Sequence, residues 1–280
     1  MKARLGPVEG NFIDLWIDIP VLLVAYEPPS DNVSTITHLK NNQPQSRMCL
    51  SWSGPTYRGA AFSSWCADYI GTVNGFWDDK LRLRHSSSAT SGTGVSNPYP
   101  TVRCRFHARQ VPAGSALKRI LVTAVAPSDQ PTSSCVVLGG AAAYGGGVAY
   151  GYDSLLDSND LDERSRSTHN HQSIPQVPAI HEMGHYIGLQ HRCTTTRGAR
   201  GATQPDSQMS NPDMDSPNQG AQRDAYCGDA SDGSLTRDLM AYGMELNGWH
   251  TFPWRQIWEH LGTTPDGMSI PAAGWIPEVA

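Results

Sequence analysis

Runs of apolar and alternating residues predict four strands in the first half of the chain. Residues 12–25 are mostly apolar and two prolines follow shortly after them, which predicts a strand that ends there. Residues 81–84 read Leu-Arg-Leu-Arg, an alternation that is typical of a half-buried strand. Residues 102–111 and 118–125 predict two further strands. We therefore expect a β-sheet in this part of the chain.

Helical spacing marks two other segments. Within residues 61–77, large apolar side chains recur three and four positions apart. They are Phe62, Trp65, Cys66, Tyr69, Ile70, Val73 and Trp77. Residues 253–260 begin with proline, which suits a first helical turn, and place Trp254 and Trp258 on one face. These patterns predict a long amphipathic helix over 61–76 and a short one over 253–260.

Length and charge exclude two classes of function. A chain of 280 residues is long enough for one large domain or for two subdomains around a cleft. The formal net charge of −5 and the sparse charged residues provide no basic surface for nucleic acid. No apolar run is long enough to cross a bilayer, and residues 1–10 lead into no signal-peptide core. We expect a monomer with no nucleic-acid partner and no membrane span.

One run, from His181 to His191, carries candidate chemistry: His-Glu-Met-Gly-His-Tyr-Ile-Gly-Leu-Gln-His. On a helix, His181 and His185 lie one turn apart on the same face, so both imidazoles can reach one metal ion. Gly188 tolerates positive φ and can turn the chain so that His191 supplies a third nitrogen. Three neutral imidazoles and one open position are the ligand set of a catalytic zinc. Glu182 can hold a water on that metal without being a ligand.

The alternative is an exposed amphipathic helix with incidental histidines. The pattern fixes five residue identities, and a chance match in a chain of this composition has a probability on the order of one in tens of thousands. Ile180, Met183 and Ile187 also supply apolar packing that would partly bury His181 and His185. Buried imidazoles need polar partners, and a metal ion is one. The sequence therefore predicts one zinc ion.

These eleven residues resemble the zinc signature of the metzincin metallopeptidases at every defined position. That clan also carries a methionine beneath the metal, in a tight turn that residues 238–243 (Asp-Leu-Met-Ala-Tyr-Gly, the methionine turn) match with Met240. Tyr242 stands where astacin-like and serralysin-like members carry a tyrosine that ligates the metal at rest and hydrogen-bonds the oxyanion during turnover. Met244 is the alternative methionine, and core packing is the alternative role for Met240 and Tyr242. Arg192 matches none of the residues that distinguish the families, so the resemblance reaches only the clan.

The resemblance implies an α+β fold with one catalytic domain. Residues 1–188 would form an N-terminal subdomain with a twisted mixed β-sheet and the active-site helix above the cleft. Residues 189–280 would form an irregular lower subdomain with the third zinc ligand, the methionine turn and a terminal helix. In such proteins an edge strand pairs with extended substrate, and the Gly- and Ala-rich residues 144–150 are the candidate. A glycine-rich loop without substrate contact is the alternative.

Six cysteines are present and none forms a CxxC pair, so a cysteine-rich zinc site is not predicted. Cys193 and Cys227 bracket a polar segment directly after His191, and a disulfide between them would clamp it near the site. Reduced, buried cysteines are the alternative. A disulfide implies a protein that is secreted or delivered outside the producing cytoplasm. Since no signal peptide is visible, either the signal is missing from this sequence or the export route needs none.

Two acidic segments raise the question of structural calcium. Residues 153–162 hold four aspartates, and residues 206–232 hold several more. Neither segment matches an EF-hand loop. We expect both to be solvated loops, which leaves calcium unsupported.

The function that these patterns predict is a zinc-dependent endopeptidase acting on a protein or peptide substrate, in the biological role of a toxin or effector. Glu182 would be the general base and would then pass its proton to the leaving amine. One alternative is a zinc amidase that acts on cell-wall peptides. Another is a non-catalytic binding module that keeps zinc for stability. The binding module would have no use for a carboxylate such as Glu182 beside an open ligand position.

Overall fold

The computed structural model describes residues 2–9, 12–26, 34–40, 43–49, 59–85, 101–116, 118–123, 135–136, 154–167, 173–189, 237–240, 243–264, 270 and 274–280. A long strand, β2 (Phe12–Tyr26), lies at the centre of its main sheet. Along one edge, β2 pairs with the parallel strand β6 (Thr101–Gln110). Its other edge is shared, because β1 (Lys2–Glu9) pairs antiparallel with its first half and β7 (Lys118–Thr123) pairs parallel with its second half.

Four further strands extend this sheet, two beyond β6 and two beyond β7. On one side, β5 (Leu81–His85) and β12 (Trp275–Val279) follow β6 with antiparallel pairing. On the other side, β9 (Ser154–Asp157) runs parallel to β7, and the edge strand β8 (Cys135–Val136) is antiparallel to β9. The sheet is therefore mixed, with both parallel and antiparallel pairs.

Two separate hairpins and three helices complete the described elements. The hairpins are β3 (Ser34–Lys40) with β4 (Gln43–Cys49), and β10 (Arg164–Ser167) with β11 (Ser173–Gln176). The helices are α1 (Gly59–Trp77), α2 (Pro178–Tyr186) and α3 (Phe252–Leu261). Short 3-10 turns occupy Ala113–Ser115 and Gly248–Thr251. None of the helices in the described ranges is long and apolar enough to cross a membrane.

Alternation along β2 and β6 divides the sheet into an apolar face and a charged face. Ile13, Leu15 and Ile17 are fully buried on one face, where Trp77 of α1 also packs. On the other face, the guanidinium groups of Arg4 and Arg105 lie 4.3 and 4.5 Å from the ring centre of Trp16. Those cations also pair with carboxylates, for example Arg105 with both oxygens of Asp78 at 2.8 Å. The apolar face therefore receives the helices, and the charged face is held together by ion pairs.

The C-terminal part of the chain joins the same core as the N-terminal part. Trp275 begins β12, which pairs with β5 across the subdomain boundary predicted at residue 188. Trp254 of α3 is fully buried and donates a hydrogen bond from Nε1 to the Arg105 carbonyl at 2.9 Å. Buried residues from both parts thus form one hydrophobic cluster in the described chain.

The expectation of a solvated loop over residues 153–162 was wrong for Asp157 and Asp160, whereas Asp162 is exposed and Asp153 lies outside the described residues. Asp157 ends β9, and both Asp157 and Asp160 are fully buried. Arg164 lies 2.5 Å from an oxygen of Asp157 and 3.0 Å from one of Asp160, which compensates the buried charges. The Asp160 carbonyl also accepts a hydrogen bond from the Ala179 amide in the first turn of α2, at 3.0 Å. These aspartates support the helix that carries the histidine motif. Residues 206–232 lie outside the described residues.

Candidate metal centre

The helix α2 places the first part of the histidine motif in the protein interior. It begins with Pro178 in its first turn, and all nine of its residues are buried, including His181, Glu182 and His185. The helix ends in a Schellman motif, because the Gly188 amide bonds to the His185 carbonyl and the Leu189 amide to the Gly184 carbonyl, both at 3.0 Å. Gly188 has a φ of 101°, which glycine adopts at little cost. The chain therefore turns sharply where the sequence predicts that it should.

Both imidazoles use the same ring nitrogen to contact the protein backbone. Nδ1 of His181 lies 2.7 Å from the Leu239 carbonyl oxygen, and Nδ1 of His185 lies 2.8 Å from the Leu189 carbonyl oxygen. A carbonyl oxygen only accepts hydrogen bonds, so Nδ1 carries the proton in each neutral ring. The lone pair of each ring is then on Nε2. Metal-ligating histidines are held in this way in many proteins.

The spacing of the two rings and the charge state of His185 suit a divalent metal ion. Their centroids are 4.9 Å apart and their planes make an angle of 85°. Two imidazoles bound to one tetrahedral zinc, with Zn–N bonds of about 2.0–2.1 Å, have centroids roughly 5 Å apart. Burial lowers the pKa of His185 to about 4, against a smaller opposing effect of its hydrogen bond to Leu189. His185 is therefore neutral near pH 7, as a metal ligand must be.

The rest of the predicted ligand set is not in the described part of the chain. His191 and Tyr242 both lie outside the described residues, as do Cys193 and Cys227. Among the residues that are described, no group of three or more His, Cys, Asp or Glu side chains could hold a metal ion. The structure thus brings together His181 and His185, and the third ligand remains a prediction.

Glu182 follows His181 on α2 and is also buried. Tyr69 of α1 is fully buried in its vicinity, and its pKa is raised, first by burial and then by the negative charges of Glu182 and Asp160. Tyr69 therefore stays a neutral phenol beside a carboxylate-bearing region. The amphipathic pattern of α1 identified Tyr69 only as a core residue, and nothing in the sequence places it near Glu182.

Residues 237–240 and 243–245 lie side by side and pack against α2. The Gly243 amide donates to the Asp238 carbonyl at 3.1 Å, and the Glu245 amide to the Arg237 carbonyl at 2.8 Å. A Cβ atom at Gly243 would overlap the backbone of Arg237, so this turn requires glycine. Met240, at the predicted position, is fully buried.

Met240 packs directly against the helix that carries the histidines. A Cβ atom added to Gly184 would overlap its Sδ atom and would lie 3.3 Å from Cζ2 of Trp77. Trp77 also donates a hydrogen bond from Nε1 to the Ile180 carbonyl of α2 at 3.3 Å. The Met240 thioether therefore contacts α2 at Gly184, the residue directly before His185. Met244, the alternative methionine, accepts a hydrogen bond at its sulfur from the Val177 amide at 3.2 Å.

Sequence analysis missed the roles of three residues that connect these elements. Gln176 ends β11 and is fully buried beside His181, while Asp238, the first residue of the methionine turn, is buried next to His250. The sequence placed Asp238 in the predicted turn but gave it no role there. No pattern in the sequence marks Gln176 or His250.

Comparison with known proteins adds no family: the chain matches no protein-family profile, no curated protein and no solved structure.

Proposed function

We propose that this chain is a zinc-dependent endopeptidase of the metzincin kind. The observation that carries the proposal is the paired Nδ1 contacts of His181 and His185 with backbone carbonyls, which put both lone pairs on Nε2. Two buried imidazoles that use Nδ1 in this way, one turn apart on a helix, are suited to a shared metal ion. His191 would be the third ligand.

Zinc bound at these histidines would supply Lewis-acid chemistry for hydrolysis near neutral pH. Glu182 is the residue of this chain that moves protons. Its carboxylate takes a proton from the attacking water and passes it to the nitrogen of the leaving amine. Tyr242 would donate its phenolic hydrogen to the oxyanion that develops at the scissile carbonyl.

The β8 edge of the main sheet is a candidate binding surface for an extended substrate. Among the described strands, β8 lies at this edge, runs antiparallel to β9 and is close to α2. An extended peptide can add to such an edge by main-chain hydrogen bonds. Residues 144–150, the edge strand expected from the sequence, lie outside the described residues.

Metal analysis and hydrolysis assays test the proposal together. We expect the purified protein to contain one zinc per chain, to cleave casein, to lose this activity on chelation and to regain it when zinc is added. Purified peptidoglycan serves as the second substrate. Cleavage of peptidoglycan alone would indicate the amidase alternative, and zinc binding with neither activity would indicate the binding module.

The Cys193–Cys227 disulfide is a separate proposal. Cys66 and Cys104 are buried free thiols and do not bear on it. Mass spectrometry of a digest prepared without reduction tests it directly. A peptide that links the two residues would support an oxidising destination, whereas two free thiols would argue against the disulfide and remove its support for export.

A further inference from the structure

The Leu239 carbonyl is a point at which three parts of the chain meet. It accepts a hydrogen bond from His181 Nδ1 of α2 at 2.7 Å. The side-chain nitrogen Nε2 of Gln176, at the end of β11, lies 3.3 Å from the same oxygen. Leu239 itself is in the methionine turn. The position of this one oxygen therefore determines which nitrogen of His181 carries the proton.

Gln176 holds the methionine turn against β11. Its Nε2 lies 3.3 Å from the Leu239 carbonyl and 3.4 Å from the Gly243 carbonyl, so its two hydrogens can reach both ends of the turn. The same Nε2 lies 3.1 Å from His181 Nδ1. Since both nitrogens are donors here, they share the Leu239 oxygen as an acceptor and do not bond to each other.

Asp238 fixes the turn from the other side. Its buried carboxylate accepts hydrogen bonds from the Met240 amide at 2.8 Å, Asn247 Nδ2 at 2.8 Å and Trp249 Nε1 at 2.7 Å. His250 Nε2 lies 3.4 Å from Oδ1, the oxygen that also accepts from the Met240 amide. Burial alone would raise the pKa of Asp238, but these donors, first among them His250, outweigh burial and lower it. The ionised carboxylate of Asp238 therefore holds Met240, the residue after Leu239, together with Asn247 and Trp249.

His250 contacts both the backbone and Asp238. Its Nδ1 lies 2.8 Å from the Asn247 amide nitrogen and 3.1 Å from the Asn247 carbonyl oxygen. Its Nε2 is the ring nitrogen that lies near Asp238. The carboxylate therefore connects the turn to the Gly248–Thr251 segment that leads into α3.

We propose that Asp238 and Gln176 are positioning residues that hold the Leu239 carbonyl in place and thereby keep His181 in the Nδ1-protonated form that binds metal through Nε2. This inference rests on the proposed function, because it assigns His181 as a ligand. Neither residue touches the reacting atoms. Their effect on the metal is transmitted through the Leu239 oxygen.

The first measurement uses the metal-free protein. Long-range ¹H–¹⁵N NMR spectra of the histidine side chains, assigned with His181→Gln, report the tautomer of His181. In the parent we expect the Nδ1-protonated form alone. In Asp238→Asn the new amide hydrogens face the donors of Met240 or Trp249, so the turn shifts and the spectrum should show a mixture of tautomers.

The second measurement is zinc affinity in competition with a fluorescent chelator. Removal of groups that orient a metal ligand typically weakens affinity by about 10- to 100-fold, and we expect that loss in Asp238→Asn and in Gln176→Leu. Asn74→Ala is the matched control. Asn74 also bonds to the backbone, at the amide and carbonyl of Ala108, but this contact joins α1 to β6. The Asn74→Ala variant should have a lower thermal midpoint, with the tautomer of His181 and the zinc affinity unchanged.

The outcomes separate this inference from the proposed function. If the parent binds zinc but cleaves no substrate, while both variants mix tautomers and lose affinity, the positioning role stands and the peptidase proposal fails. If the variants fold, as judged by circular dichroism, and keep the parent tautomer and affinity, the positioning role is wrong whatever the activity. Gln176→Leu, which keeps the side-chain volume, provides this test should Asp238→Asn fail to fold.

Discussion

The helices α1 and α2 bury their side chains in different ways. In α1, five of the 19 residues are buried (Trp65, Cys66, Tyr69, Val73 and Trp77), and they lie along one face. In α2, all nine residues are buried, and three of them are His181, Glu182 and His185. Apolar packing explains the sequence of α1, because its buried residues are apolar or aromatic and none of its polar residues except Tyr69 is fully buried. It does not explain α2, where polar groups lie inside and must be compensated, so the composition of α2 indicates chemistry.

The largest expected difference between the helices concerns their carboxylates. Glu182→Gln in α2 should lower the rate of casein hydrolysis by about 10²- to 10⁴-fold, because the general base is lost, while zinc stays bound. Asp68→Asn removes an exposed carboxylate from α1 and should leave the rate unchanged. Initial rates and zinc content of both variants check this. Equal activity of Glu182→Gln and the parent would show that another group is the base.

The buried histidine of α2 should make the metal-free protein sensitive to acid. The folded-state pKa of His185 is about 4, against 6.5 for an exposed histidine, so the folded state binds fewer protons between these values. Its contribution to stability is complete above about pH 6.5 and is lost as the pH falls toward 4, by about 1.4 kcal/mol per pH unit at most. Urea unfolding of metal-free protein between pH 7 and pH 4 measures this. His185→Gln should flatten the dependence, whereas His260→Gln, at an exposed site on α3, should not.

Replacement of a glycine by alanine should change the free energy of unfolding in opposite directions in the two helices. In α2, Gly184→Ala inserts a methyl group where the Met240 sulfur and the Trp77 ring already lie, which should cost about 1–3 kcal/mol in the free energy of unfolding. Urea unfolding at neutral pH checks the sign. A stabilised Gly184→Ala variant would contradict the close contact between α2 and the methionine turn.

The smallest expected effect is the matched substitution in α1. Within the part of the chain that the structure describes, no heavy atom lies within 4 Å of a Cβ atom built on Gly71, so Gly71→Ala meets no obstacle there. Alanine restricts the unfolded chain and favours helix, and we expect a gain of about 0.5–1 kcal/mol. A loss of stability in the same urea assay would indicate that this face of α1 is covered by another part of the chain.

Periodic packing made most of the larger elements predictable. The predictions for residues 12–25, 61–76, 102–111 and 253–260 are confirmed by β2, α1, β6 and α3 to within a few residues. In each case local spacing reflects contact with a continuous core. The strand β12 was missed because it is short and contains Pro277, which is tolerated there at the edge of the sheet. The strand β9 was missed because its one aspartate, Asp157, is compensated by Arg164, a contact that no periodicity reveals.

The candidate site was predictable only as far as a single segment could show it. The sequence placed His181 and His185 together because both lie on one helix. Gln176 and Asp238 could not be predicted, because their roles depend on contacts between residues about 60 positions apart. Such contacts follow from the folded arrangement of β11, α2 and the methionine turn.

The close approach of Gly184 to Met240 has a consequence for how this protein can diverge. The absence of a side chain at one position makes room for the sulfur at the other, so the two sites share one volume. A lineage that acquires a larger residue at 184 must also acquire a smaller one at 240, or lose the packing of residue 240 against α2. Once sequences of true homologues are aligned, these two columns should therefore covary more strongly than either does with its neighbours along the chain.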